Sequence, residues 1–411
     1  MRRFPIEQTV KTNAIEARPI AIEAATLSAI VATSGLLIIH LSSLFPDSIY
    51  DVRNFWFNAD PDRVLRDLTS GVHWRTNVHP IFPILLGAPT RLLIFFGFTL
   101  ITAAKIILVI AGVISAVFLY LASRSIGIRL QDSILLHLAF MSSASFLFWF
   151  GLIETFPLSA PMTSFMIWIA CVKPRTWVWI LGSAGTLSVT TTNWSLGLLA
   201  SYFGNNRVRF ILINVCAFVM VVFLALVQKR LLPSSDLFFL PESVGRESVW
   251  VHYDRTMAEA VKRILHIWLF TGVTPPTALV SPSVITNINS NLASFTYAGA
   301  VALISWIVML GSGIFGIYKT IHLRNVSLAV LLFLCFQTTL HVIYGDEPFL
   351  YSANFLLGMI MLCAFGFVSP ASRVSRAACY IFVTVGSWSN YSTLQYSIQL
   401  LHRALTIVLH Q

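Results

Sequence analysis

The chain has 411 residues, 56% of them hydrophobic and only 11% charged, with a mean hydropathy of +0.78. So much apolar surface with so little charge to solvate it excludes a soluble domain of this size and leaves an integral membrane protein. The formal net charge of +10 does not point to nucleic acid, because many lysines and arginines stand at the ends of apolar segments, where they set orientation and meet anionic headgroups.

Apolar runs of about 20 residues, the length of a helix crossing a ~30 Å hydrocarbon core, recur along the chain, whereas alternating barrel strands do not. The expected fold is all-α, a polytopic transmembrane bundle of about 10 to 11 membrane segments in one integral domain over 1–411. The five cysteines (Cys171, Cys216, Cys335, Cys363, Cys379) lie within or at the edges of apolar runs without CxxC spacing, so neither a disulfide framework nor a zinc site is expected.

The polar start MRRFPIEQTVKTNAIEARPI leads into an apolar run at 24–44 that ends in HLSSLFPDS, with no small-residue cleavage site, and predicts a retained first helix. Further segments are expected near 99–122, 133–151, 156–172, 177–191, 193–204, 208–227, 297–318, 325–343, 350–368 and 377–389. The 177–191 and 193–204 pieces are short for a crossing and predict half-helices turning at Thr190-Thr191-Thr192-Asn193 in a protein-lined or watery cavity. The final stretch has a rough helical stripe through Leu394, Ile398, Leu401, Leu405 and Ile407, interrupted by His402 and Arg403, which predicts an interfacial helix.

With the N-terminus in the cytoplasm, Arg124, Arg129, Lys173, Arg175, Arg207, Arg209, Lys319, Arg324, Arg373 and Arg376 all fall on that side. The opposite face receives a first loop at 45–98, the Glu154 turn, the Thr190–Asn193 turn, a long segment at 228–296 and the turn His341–Pro348. Asp60, Asp62, His73, His79, Glu154, Asn193, His341, Asp346 and Glu347 are thereby gathered near helix ends on one face. Ordinary loop polarity explains part of this; Glu154, a lone carboxylate between two apolar runs, reads as a group facing an interior cavity. The 228–296 segment, with a helical stretch around 256–270, is too long for a simple connector and predicts a lid.

In NADPDRVLRDLTSG, Asp60 precedes Pro61 at a helix start, Val64, Leu65 and Leu68 form an apolar stripe, and Arg63, Arg66 and Asp67 face elsewhere. This predicts a short amphipathic helix in the headgroup plane; for Asp60 an N-cap role and a chemical role stand side by side, since a cap also fixes where the carboxylate points. After it, His73, Arg75 and His79 precede a stretch broken by Pro80, Pro83 and Pro89, which predicts a dip along the interface and a groove at the membrane surface.

An acidic residue opening a short helix after the first span, about twenty residues, then a basic residue with proline and an apolar run resembles the GT-C superfamily of membrane glycosyltransferases. Asp60, Arg63 and His79-Pro80-Ile81-Phe82-Pro83 carry the likeness, and Glu154-Thr155-Phe156 and Phe349-Leu350-Tyr351-Ser352 look like pieces of bacterial members. The common pair of adjacent acids is replaced here by Asp60-Pro61-Asp62, which leaves open which acid corresponds and whether a divalent metal is held.

The resemblance implies sugar transfer, in a bacterial inner membrane and on its periplasmic face, from a polyprenyl-phosphate-linked donor to a hydroxyl of a glycan, lipid or protein acceptor. A carboxylate must take the acceptor proton, with Asp60 as first candidate and Asp62 as second. The leaving phosphate calls for cationic groups, with His79, Arg75 and Arg63 as candidates and headgroup binding as the alternative. Glu154, Asn193, His341, Asp346, Glu347 and Tyr351 are candidate substrate contacts. Structural roles compete with these: a buried ion pair for Glu154, a half-helix cap for Asn193, a solvated turn for His341, Asp346 and Glu347. A transporter of a polar or lipid-linked substrate is the rival reading, and a lipid-dependent assembly or scaffold protein comes third. The transferase reading requires Asp60, His79 and Glu154 to line one cavity.

Overall fold

The computed structural model describes residues 20–70, 73, 75–274, 279–281, 284–286 and 295–409. Among them, seven helices are long and apolar enough to cross a membrane: Ala21–Leu44, Leu100–Ser125, Thr155–Val172, Arg207–Leu231, Tyr297–Lys319, Ile321–Ile343 and Pro348–Phe367. The protein is therefore a helical bundle of multi-pass character, with fewer such helices than the 10 to 11 segments expected from about 20-residue periodicity.

In chain order the helices are α1 (Ile20–Leu44), α2 (Pro61–Thr69), α3 (Ala88–Phe95), α4 (Leu100–Ser125), α5 (Leu130–Ser142), α6 (Ala144–Trp149) and α7 (Thr155–Val172). They continue as α8 (Thr176–Val189), α9 (Trp194–Gly204), α10 (Arg207–Leu231), α11 (Pro241–Gly245), α12 (Met257–Leu265), α13 (Tyr297–Lys319), α14 (Arg324–Ile343), α15 (Ser352–Phe367), α16 (Ser372–Ile381) and α17 (Ser387–Leu409). Helix α15 is the axis of the bundle, with every residue buried. Its neighbour α13 approaches so closely that a β-carbon at Gly313 or Gly316 would run into the carbonyls of Leu362 and Phe365. Small residues allow this backbone contact, which dispersion rather than a hydrophobic drive must sustain in lipid.

Two expectations are corrected. The 133–151 segment is not one helix: Ser143 is extended, and its hydroxyl accepts the Phe146 N–H at 3.3 Å as the cap of α6. The amides of Ala144 and Ser145 leave the α5 ladder for the carbonyls of Gly272 and Thr271, at 2.9 and 3.0 Å. The 377–389 segment and the C-terminal helix are one continuous helical run from Ser372 to Leu409, with a π turn at Phe382–Gly386. A buried stripe through Phe382, Gly386, Asn390, Leu394, Ile398, Leu401 and Leu405 continues across the expected break, so nothing interrupts it. The bundle is all-α as expected, with one short hairpin beside it. Strands β1 (Leu279–Ser281) and β2 (Val284–Thr286) form an antiparallel hairpin, and Ile285 exchanges backbone bonds with Phe55 and Phe57 of the first loop, both at 2.8 Å.

Helices α8 and α9 have 14 and 11 residues, about 21 and 16 Å at 1.5 Å per residue, against a ~30 Å hydrocarbon core. They meet at the 3-10 turn Thr191–Asn193, as the half-helix reading expects. The helical stretch expected around 256–270 is α12 followed by a π turn at His266–Phe270.

Candidate functional site

One cavity of about 540 Å³ opens at the end of the bundle where the first loop, the α7 and α9 N-termini, the 234–250 segment and the α14–α15 turn converge. Asp60, His79 and Glu154 all line it, as do Arg63, Arg75, His341, Asp346, Glu347 and Tyr351. One side is polar. The other is an aromatic ladder in which Trp194 stacks on Phe218 at 5.9 Å, Phe218 meets Phe238 at 5.9 Å and Phe238 meets Phe239 at 5.4 Å. Phe239 and Trp250 are exposed at its rim.

The approach to Asp60 is built by aromatic burial. Trp56 and Phe57 are fully buried, and Phe57 packs edge-on against Phe148, Trp149 and Phe349 at 5.6, 6.1 and 5.3 Å. Phe57 and Asn58 take left-handed backbone angles, φ 48° and 57°. For a bulky residue that conformation is costly and persists only where packing over-determines it. It turns the chain so that Asn58 and Asp60 both line the cavity.

Asp60 starts α2 but does not cap it with its side chain. Its carboxylate instead faces Arg63 Nε at 3.4 Å. Its own N–H donates to Glu154 Oε2 at 3.0 Å, while Glu154 Oε1 accepts from the Thr155 N–H at 2.8 Å. Glu154 thus caps α7 and pins the Asp60 backbone at once. Burial pushes the Glu154 carboxyl up, and Arg63 at 3.8 Å together with the two amides pulls it back.

Arg63 does not point away from the bundle. It turns inward, 14% exposed, and reaches Asp67 at 2.9 Å as well as Asp60, Glu154 and Thr155. Asp67 is likewise buried and faces His73 Nδ1 at 3.4 Å. Asp62 is on the far side of α2, paired with Arg53 and Arg66 at 2.8 Å each, and is not among the residues lining the cavity. The pair Asp60-Pro61-Asp62 is therefore split: one acid faces in, one faces out.

A second network stands opposite. Glu247 Oε2 accepts from Arg75 at 2.7 Å and from the Tyr344 hydroxyl at 2.6 Å, and Glu247 Oε1 accepts from Asn77 Nδ2 at 2.8 Å. Burial works against the Arg75 charge, yet Tyr344 and Glu247 hold its pKa above the ordinary value, and burial pushes the Tyr344 phenol up. His79 donates from Nδ1 to the Val189 carbonyl at 2.7 Å, which places its single proton there and leaves Nε2 as an acceptor. Burial, then Arg63 and Arg75, push its pKa well below 6.5, which favours the neutral imidazole in this site. As pH falls below about 6.5 the unfolded chain takes this proton first. His79 is thus expected to cost up to about 1.4 kcal/mol of stability per pH unit below 6.5. Thermal unfolding between pH 7 and 5 should show that slope reduced in His79→Gln.

Deeper in the bundle, Asn354 Oδ1 accepts from Ser159 at 2.7 Å and from Asn193 Nδ2 at 3.1 Å, and Gln337 donates to Asn193 at 3.2 Å. Asn193 holds this floor and is not among the lining residues, whereas Thr190, Thr191, Thr192 and Trp194 around it are. His341 stacks on Tyr351 at 4.1 Å, with both ring nitrogens buried and unpartnered. The turn after α14 is no simple solvated loop. Arg263 donates to the carbonyls of His341, Tyr344, Gly345 and Asp346, and Arg255 to those of Val342 and Gly345. Burial and then Arg255 lower the Arg263 pKa to about 10. Asp346 is exposed against His252 at 3.1 Å, and Glu347 is buried at the cap of the next turn, accepting from Phe349 N–H.

Asn77, Glu247, Tyr344 and Asn354 were not singled out from sequence. Asn77 stands two residues before His79 and Tyr344 within the HVIYGDEP turn, signals that proximity to candidate residues could have raised; Glu247 had none. Among the described residues no group of three or more His, Cys, Asp or Glu is placed to hold a metal ion. Comparison with known proteins gives no match: no family model fits the chain, and no curated protein or solved structure is significantly similar to it.

Proposed function

We propose that the chain is a membrane glycosyltransferase that moves a sugar from a polyprenyl-phosphate donor to an acceptor hydroxyl on the non-cytoplasmic face. One observation carries this reading: a single cavity joins a carboxylate held against an arginine to an aromatic wall beside membrane helices. Aqueous acid–base chemistry and an isoprenoid tail need those two surfaces side by side.

In the proposed reaction the acceptor oxygen attacks the anomeric carbon as its proton passes to Asp60. The bond from that carbon to the phosphate oxygen breaks, and its electron pair leaves on the phosphate, next to the fixed charge of Arg75. Direct displacement of this kind inverts the anomeric configuration. Glu154 and Arg63 are positioning residues: one pins the Asp60 backbone, the other orients its carboxylate. His79 Nε2 offers an acceptor for a sugar hydroxyl.

The half-helices α8 and α9 meeting at a polar turn also favour a carrier. A labelled polyprenyl-phosphate sugar supplied to membranes with and without the protein separates the two. Label transferred to an acceptor, with polyprenyl phosphate released, supports the transferase. Label that crosses the bilayer on an unchanged donor supports the carrier and removes the transferase.

A further inference from the structure

Three donors, two from the first loop and one from the end of α14, converge on one point of the cavity wall. Arg75 comes from the first loop, Asn77 from two residues further along it and Tyr344 from the end of α14, and what they hold is the carboxylate of Glu247. Glu247 lies in the short turn Arg246–Trp250, which has no buried residues of its own. Among the described residues its backbone is bonded to the bundle at the far end, Gly345 N–H to the Trp250 carbonyl at 2.9 Å and His252 N–H to the Ile343 carbonyl at 2.8 Å, while at the near end the ties are from side chains, Arg246 to Asp236 at 2.8 Å and Asn77 to the Ser243 carbonyl at 3.0 Å. The acid is therefore a guest brought by a lightly packed strap to a host that the bundle builds.

The host is chemically suited to another guest. A guanidinium, a phenol and an amide N–H aimed at two oxygens match phosphate as well as carboxylate, and arginine favours planar recognition of either. Phe238, Phe239 and Trp250 line the same cavity and offer apolar surface for whatever the phosphate is esterified to. Glu247 and a phosphate cannot share Arg75, since two anions at that separation repel.

We infer that Glu247 is a displaceable stand-in for the phosphate of an isoprenoid phosphate ester, and that binding of such a ligand lifts the 246–250 turn off Arg75. The inference rests on the proposed function for the kind of ligand, and on the Arg75–Asn77–Tyr344 geometry for the place. The turn then acts as an internal plug that keeps the cavity closed to anions until a lipid phosphate competes it away.

The test is equilibrium binding to the full-length protein in detergent with three probes: citronellyl phosphate, inorganic phosphate and citronellol. In Glu247→Gln, which removes the competing charge, citronellyl phosphate is expected to bind about tenfold tighter, the size of one charge-assisted contact. Arg75→Gln should lose that binding, and citronellol should respond to neither change. Tighter binding of citronellyl phosphate than of inorganic phosphate by the unmodified protein assigns the ligand to a lipid; equal binding assigns the site to free phosphate and overturns the lipid claim. Unchanged or weaker citronellyl phosphate binding in both Glu247→Gln and Glu247→Ala, with melting temperatures near that of the parent, overturns the stand-in. Sugar transfer is scored separately: transfer with no Glu247 effect removes this inference alone, and the binding pattern without transfer removes the transferase alone.

Discussion

Arg63→Ala is expected to destabilise the folded protein by about 3 to 5 kcal/mol, the cost of leaving buried charges without their partner. Asp67 and Glu154 are 7% and 2% exposed at the side chain, and each has Arg63 as a cationic neighbour, with Asp60 as a third acid beside it. Removing the guanidinium leaves three carboxylates facing one another, two of them shielded from water. The readout is the thermal midpoint in detergent, with Arg53→Ala as the comparison. Arg53 pairs with Asp62 at 2.8 Å but is 48% exposed, and an exposed pair contributes about 1 kcal/mol or less. Arg63→Lys should recover only part of the loss, since a point charge cannot span Asp67 and Glu154 as the forked group does. Equal melting of the Arg63 and Arg53 variants would show that the inward network contributes no more than a surface pair.

The bundle was legible because its cause is compositional. Runs such as Arg207–Leu231 or Leu100–Ser125 have no solution in contact with water, and helix is what satisfies a backbone in lipid. The short α8 and α9 were legible for the same reason, by counting residues against membrane thickness. The break at Ser143 was not, because it depends on Thr271 and Gly272 accepting the α6 amides from far along the chain. Asp60 illustrates the divide within one residue. Asp before Pro announces a helix start, but whether the carboxylate caps the helix or faces a cavity is decided by Arg63 and by Glu154, 94 residues away. Glu247 lies 172 residues from Arg75, and one sequence without its fold holds no sign of that pairing.

Asp60→Asn should cut sugar transfer by about 100- to 10,000-fold, the usual contribution of a positioned general base. The amide preserves size and leaves the N–H bond to Glu154 in place, so the loss should come with little change in stability. Asp62→Asn is the internal control, because Asp62 faces Arg53 and Arg66 outside the cavity, and transfer there should remain within about twofold of the parent. Glu154→Gln should sit between them, lowering turnover through misplacement of Asp60 rather than loss of a proton acceptor.

The most direct measurement places donor binding and single-turnover transfer side by side in the Asp60→Asn protein. The account predicts that a polyprenyl-phosphate sugar still binds with an affinity near that of the parent while transfer is lost. Transfer at the parent rate would contradict it, because a carboxylate that can be neutralised without consequence is not the group that takes the proton.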